Sequence, residues 1–417
     1  MRAALERARN PVPRDFSRTF AGNIDDDFRL GLAVSQRAVK LFSPFYGSDV
    51  LVASPLGLRR VIGAEGDASR ETDFLASVEL LVLDGCELLL QQNWQHMRDV
   101  LEAINARPAS TGATDFSRVR EADLADLARF RRQTLVFASY ADAELAAAAR
   151  RRCANSRGRL ELRAASFAGS IARVVPAVRQ TFYRVDEAAP APAQAPALAP
   201  SASGPGALLA AADDARFEFF KARILPTIAG GAGGSGGGSG GGADAQPQQQ
   251  AHTLVFVPSY FDYVRLRNLL DARQLEFATL SEYSEDRDVA EARARFRRGE
   301  APLLLLTERA HFFRRLRVFG VRHVIFYAPP REARFYAEVL NWLEEAAGGG
   351  GGAAGAGMGA GAGAGAATGA GSAVSAALLY TRFDGPALER VAGSQRAARM
   401  LAPATSGAAR AGASVFV

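Results

Sequence analysis

The sequence predicts an α/β fold made of two parallel-sheet blocks. Two observations predict it. Short apolar runs alternate with longer segments of helical periodicity, the pattern of strands joined by crossover helices. That pattern occurs twice, on either side of a Pro/Ala/Ser-rich stretch at 187–212 (residues 190–206 read PAPAQAPALAPSASGPG) that has the composition of a linker.

Taken in order, residues 1–21 are basic and irregular, with Arg2, Arg7, Arg9 and Arg14 among prolines. Residues 22–186 form the first block, with strands expected at 49–53, 78–83 and 134–138 and helices at 27–41, 93–104 and 121–131. After the linker, 213–401 form the second block. It opens with a helix at 213–228 and continues with strands at 252–258, 276–279, 303–307, 323–327 and 378–381. Helices are expected at 260–272, 288–298, 332–345 and 385–401. Gly-rich stretches at 229–250 and 346–372 read as insertions in surface loops, where added length costs little free energy. Residues 402–417 read as a tail.

The 417 residues carry a net charge of +6, which points to an anionic partner. Only Lys40 and Lys221 are lysines, so the positive charge is almost all Arg, which contacts phosphate in a bidentate way and stacks on bases. Cys86 and Cys153 make no Cys-x-x-Cys pair, and a reducing compartment is expected. No apolar run approaches the roughly 18 residues of a membrane span and no secretory leader is evident, so neither membrane nor export is expected.

The chemistry-bearing stretch of the first block is LLVLDGCELLL, residues 80–90. It reads as a buried strand, an acidic tip at Asp84 and Glu87, and the start of a helix. In phosphate-loop ATPases the acid at such a strand end holds Mg²⁺. The simpler reading is a carboxylate capping the next helix. DEAD-box helicases carry Asp-Glu-Ala-Asp at this place, and the chain is similar in position, but Gly85 and Cys86 stand where Glu and Ala belong. No G-x-x-x-x-G-K-[ST] phosphate cradle exists, since neither lysine lies in a glycine loop. His96, His252, His311 and His323 show no metal-ligand spacing. No Gly-x-Ser-x-Gly elbow is present, and Ser259 reads as a strand end that caps a helix. No catalytic residue, cofactor or metal is therefore expected. The second block offers a basic–aromatic stretch at 307–319. There Arg309, Arg314, Arg315 and Arg317 surround Phe312 and Phe313, residue types that contact phosphates and stack on bases, unless the phenylalanines face a core.

Several longer motifs resemble one family. They are GNIDDDF at 22–28, ASPLGLR at 53–59, QNWQH at 92–96, TDFSRVR at 114–120, DARFEFF at 214–220 and FVPSYFDYVRLRN at 256–268. SEYS at 281–284, TER at 307–309 and ALERV at 387–391 belong with them. Together they are similar to the digestive organ expansion factor, or U3 small nucleolar RNA-associated protein 25, family. That resemblance implies two RecA-like domains of the DEAD-box kind whose nucleotide-binding motifs have degenerated, with the leading strand–loop–helix of the first domain missing. It also implies a nuclear, nucleolar, non-catalytic factor of the small-subunit processome, needed for pre-rRNA processing toward 18S rRNA. Its partners would be U3 small nucleolar RNA, pre-rRNA and processome proteins. The alternative is an active ATP-dependent RNA helicase. Arg59 falls in the motif that grips the RNA backbone, Ala138-Ser139-Tyr140 where helicases have Ser-Ala-Thr, and REARFY at 331–336 replaces the His-Arg-x-Gly-Arg motif.

Overall fold

A computed structural model of the chain describes residues 13–63, 70–108, 117, 119–185, 205–229, 252–343, 374–402 and 413–416. The Gly-rich stretches at 230–250 and 346–372, the Pro/Ala-rich residues 187–204 and most of the motif at 114–120 lie outside them. The chain divides into two compact units, residues 1–163 and 164–417. The fold is mixed α/β with parallel sheets in both units.

In the first unit β1 (Arg29–Val34), β2 (Val39–Leu41) and β3 (Val50–Ala53) form an antiparallel sheet of order β2-β1-β3. This corrects two expectations. Residues 27–41, expected as a helix, form a hairpin, and the strand at 49–53 does not enter a parallel sheet. The hairpin closes because Ser35 N–H donates to the Ala38 carbonyl at 2.9 Å, with the Ser35 hydroxyl bonded to the same residue, while Val34, Val39 and Leu41 prefer the extended chain. Gly31 allows the close approach of the next turn: a Cβ there would lie 2.4 Å from the Ser43 carbonyl oxygen. The short helix Arg14–Thr19 precedes this sheet, within the stretch expected to be irregular.

Among the described residues the parallel part of the first unit is two strands, β4 (Leu80–Leu83) and β5 (Gln133–Val136), paired from Leu80↔Gln133 to Leu83↔Val136. Helix Trp94–Ala103 follows the expected span, capped by Asn93, whose side chain accepts from Gln95 N–H at 3.1 Å. The helix expected at 121–131 breaks into Glu121–Leu124 and Ala128–Arg131 around Asp126, whose φ of 59° is incompatible with a continuous helix.

The second unit is a seven-stranded sheet. Its strands are β6 (Arg179–Arg184), β7 (Thr253–Val257), β8 (Phe277–Leu280), β9 (Leu303–Thr307), β10 (His323–Phe326), β11 (Ser375–Tyr380) and β12 (Ala413–Phe416). Their order is β12-β6-β11-β10-β7-β9-β8, all parallel except β12. From β7 the chain winds first toward β8 and β9 and then to the other side through β10 and β11, the doubly wound topology. β6 was not expected as a strand. It belongs to this sheet, which puts the unit boundary at 163 rather than at 186. β12 forms within the expected tail, where Phe416 meets Phe182 edge-on at 5.3 Å. Residues 205–212, expected as linker, are the first turns of helix Pro205–Phe219. The expected helix at 385–401 bends at Gly393, whose φ of 92° and close approach to the Ala168 carbonyl both require glycine.

Both faces of the second sheet are covered, as parallel sheets require. Val255, Leu305, Ile325 and Tyr327 pack with Phe220, Leu266 and Leu270 on one side. On the other, Phe256 meets Phe326 and Phe335 at 5.5 and 6.5 Å, and Phe326 meets Tyr336 at 4.7 Å. No helix among the described residues is long and apolar enough to cross a membrane.

Candidate functional site

At the tip of β4, Asp84 does not cap the following helix Cys86–Gln91. The capping position belongs to Gly85, in the left-handed conformation (φ 60°) with no side-chain cap. The Asp84 carboxylate instead accepts from the Gly85 N–H at 2.9 Å. Glu87 reaches across to the tip of β5 and accepts from both the N–H and the hydroxyl of Ser139, at 3.1 and 2.6 Å. The acidic tip after β4 and the segment after β5 therefore do meet, through Glu87 and Ser139, in a structural tie between strand ends. Cys86 beneath them is fully buried. That burial, with Glu87 and Asp84 adding to it, raises its thiol pKa to about 11, so it stays protonated and unreactive at neutral pH. Among the described residues no three of His, Cys, Asp and Glu are grouped to hold a metal ion.

The basic–aromatic stretch of the second unit is a helix, Glu308–Arg314, that starts at the carboxyl end of β9. Thr307 caps it, accepting from Ala310 N–H at 3.2 Å and donating to Glu282 at 2.9 Å. Its first residue, Glu308, is fully buried and accepts the N–H groups of Arg331 and Glu332 at 3.0 and 2.9 Å. Burial lifts its pKa to about 7 against the pull of those two amides.

The seven sequence candidates separate by burial. Phe312 is 6% exposed and cannot stack on a base. Arg315, 8% exposed, ends the helix at φ 46°, pairs with Glu338 at 3.1 Å and lies 4.6 Å over the Phe335 ring. Both are corrections: Phe312 is buried on its helix, and Arg315, the left-handed residue just past the helix end, is covered by the Phe335 ring. Arg59, in the first unit, is engaged by Asp99 and by the Gly63 carbonyl. Arg309 binds Glu282 at 3.3 Å and Arg314 binds Asp286 and the Ser284 carbonyl, and both side chains stay partly exposed. Phe313 is half-buried, edge-on to Phe312 at 5.1 Å. Arg317 is exposed.

Two features escaped the sequence reading. Glu308, hidden in a basic run, ties β9 to the loop after β10; its position directly after the Leu-Leu-Leu-Leu-Thr strand was the available signal. The second is the exposed set Arg150, Arg151 and Arg157, at and beyond the end of helix Ala143–Arg152. An arginine triplet closing an alanine-rich helix could have revealed it.

Residues 2–160 match the family model described as UTP25, NTP hydrolase-like domain, and residues 170–407 match Utp25, C-terminal domain. The U3 small nucleolar RNA-associated protein 25 homolog of Homo sapiens is 36% identical over 389 residues, 93% of this chain and 44% of that protein. U3 small nucleolar RNA-associated protein 25 of Schizosaccharomyces pombe is 34% identical over 390 residues, 93% of this chain and 51% of that protein. The chain thus spans about half the length of the curated relatives it matches. Among solved structures, the yeast DEAD-box splicing factor Prp28 aligns at 12% identity and a TM-score of 0.28, covering 80% of this chain and 51% of that one. At that score the fold assignment rests on strand order alone.

Proposed function

The chain belongs to the UTP25 family, and on that premise we propose that it is a non-catalytic ribosome-biogenesis factor of the small-subunit processome. It associates with U3 small nucleolar RNA and pre-rRNA in the nucleolus and supports processing toward 18S rRNA, acting as a scaffold for RNA and protein. The observation that carries the non-catalytic reading is the acidic tip. An ATP hydrolase needs a carboxylate there to position the attacking water. Here position 85 is glycine, Asp84 turns back to the Gly85 amide, and Glu87 is committed to Ser139. The RNA contacts fall to the arginines that remain at the surface, Arg309, Arg314 and Arg317 in the second unit and Arg150, Arg151 and Arg157 in the first. Phe313 supplies the available aromatic edge.

The test is affinity purification of the tagged protein from its own cells, probing for U3 small nucleolar RNA and pre-rRNA. Enrichment that falls steeply between about 50 and 200 mM salt supports phosphate contact. The Arg314→Ala/Arg317→Ala and Arg150→Ala/Arg151→Ala pairs should each lower RNA recovery while the protein stays folded. Unchanged recovery in both pairs overturns the contact assignment. RNA-stimulated ATP turnover by the purified protein, abolished by Asp84→Ala, overturns the non-catalytic reading.

A further inference from the structure

The seven-stranded sheet ends differently on its two sides. On one, β6 is closed by β12, a four-residue antiparallel strand added from the far end of the chain. On the other, among the described residues, β8 pairs only with β9. Among the described residues, no hydrogen bond joins the Phe277–Leu280 backbone to any strand or side chain beyond β9. An open edge of this kind presents a row of unpaired N–H and C=O groups, and proteins commonly blunt it with lysine, proline or a bulge. The sequence of β8, Phe-Ala-Thr-Leu, contains no lysine, no proline and no charge.

This edge lies in a groove of about 530 Å³ between helices Tyr260–Ala272 and Asp286–Arg298. Its charged walls are Asp271, Glu276, Asp288 and Glu291 against Arg267 and Arg295, and Arg295 is already paired with Glu276 at 3.2 Å. In a chain whose net charge is +6, the groove is locally acidic.

We propose that the β8 edge is a docking site for an extended, basic segment of a partner protein, which adds to the sheet as an eighth strand. Main-chain hydrogen bonds to β8 supply affinity, and lysines or arginines on alternate residues meet Asp271, Asp288 and Glu291. Charge complementarity selects this occupant. RNA would bring phosphates against carboxylates, and a second copy docked edge to edge would set the same acidic walls against each other. The binding of β12 to β6 is the same event within one chain. This site is separate from the arginine surfaces assigned to RNA and does not depend on them.

The probe is a fluorescein-labelled eight-residue peptide of alternating Lys and Val, read by fluorescence anisotropy on the full chain. Its controls are the Glu/Val counterpart and a Lys/Val peptide methylated on alternate backbone nitrogens, which keeps the charge and blocks strand pairing. Binding of the Lys/Val peptide is expected to be at least about tenfold tighter than that of either control. It should raise hydrogen-exchange protection at residues 277–280 and weaken at least about tenfold in Asp288→Lys/Glu291→Lys. Equal binding of the methylated peptide overturns strand addition. Undiminished binding by the charge-reversed variant overturns the site. Displacement of the peptide by a twelve-residue poly-uridine makes the groove an RNA surface instead, and concentration-dependent self-association that protects residues 277–280 assigns the edge to a second copy.

Discussion

The strands of the two units are drawn from similar residues and end in opposite environments. In the second unit every residue of β7, β9 and β10 is buried. In the first, pairing of Val34 with Val39, Leu32 with Leu41 and Val50, and Leu30 with Val52 puts seven apolar side chains on one face. That face is open: Val34, Val39 and Leu41 are 58%, 59% and 57% exposed. Only the opposite face, through Leu51, joins a core with Ile62 and Phe74. Apolar, β-branched residues are enough to make a strand, but burial is decided by how many strands and helices stack around it.

Mutations should divide along this line. The largest loss is expected for Phe256→Ala, which opens a cavity between Phe326 and Phe335 in a central strand, at about 3–5 kcal/mol. Urea denaturation followed by hydrogen exchange should place that loss in the seven-stranded sheet; a loss below about 1 kcal/mol would break the comparison. Next comes Arg315→Ala, which strips Glu338 of a partner inside the aromatic cluster, at about 3 kcal/mol. The same variant should retain RNA, separating Arg315 from Arg314 and Arg317, one and two residues away.

The third test is pH. Folding raises the pKa of Glu308 from 4.5 to about 7, so the folded chain holds this proton more tightly than the unfolded chain. Its contribution to stability is fully present below pH 4.5 and is lost as pH rises through 7. Asp262, lifted by burial from 3.8 to about 6, acts in the same sense over a lower window. The denaturation midpoint of the second unit should therefore fall between pH 5 and pH 8, by on the order of 2 kcal/mol. Glu308→Gln should flatten most of that slope. A midpoint that is flat or rises over this range removes Glu308 as its cause. In the first unit Ser139→Ala removes the hydroxyl bond to Glu87, for about 1 kcal/mol, seen as faster exchange at the tips of β4 and β5. The smallest effect is expected for Val34→Thr and Val39→Thr, within about 0.5 kcal/mol each, with a gain in solubility as the measurable sign. A loss above about 1 kcal/mol would show that this face is covered in solution.

Legibility in the sequence follows the same division. Helix Tyr260–Ala272 and β9 stand where the sequence put them: the helix is long and capped by Ser259, and the Leu-Leu-Leu-Leu-Thr run is too short for a buried helix. Ser259 caps that helix as expected, its hydroxyl accepting from Asp262 N–H at 3.5 Å. The hairpin at 29–41 was read as helix because seven apolar residues in mixed spacing satisfy either period. The acidic tip was placed correctly, but Asp84 was given the capping role that the left-handed Gly85 holds. Composition made Phe312 and Arg315 candidates for RNA contact and left open whether the phenylalanines face a core, because composition carries no direction. Their direction comes from the start of the helix at Glu308, which is set by the Thr307 cap.

By itself the sequence determined the family, the presence of strands and helices in the second block, and the glycine at position 85 between Asp84 and Cys86. All three are written in local residue identity. Tertiary structure alone decided which sheet β3, β6 and β12 would join, which arginines would remain at the surface, and that β8 would have one neighbouring strand among the described residues. Each of those depends on hydrogen-bonding and packing partners that lie tens to hundreds of residues away, as when β6 at Arg179 pairs with β11 at Ser375.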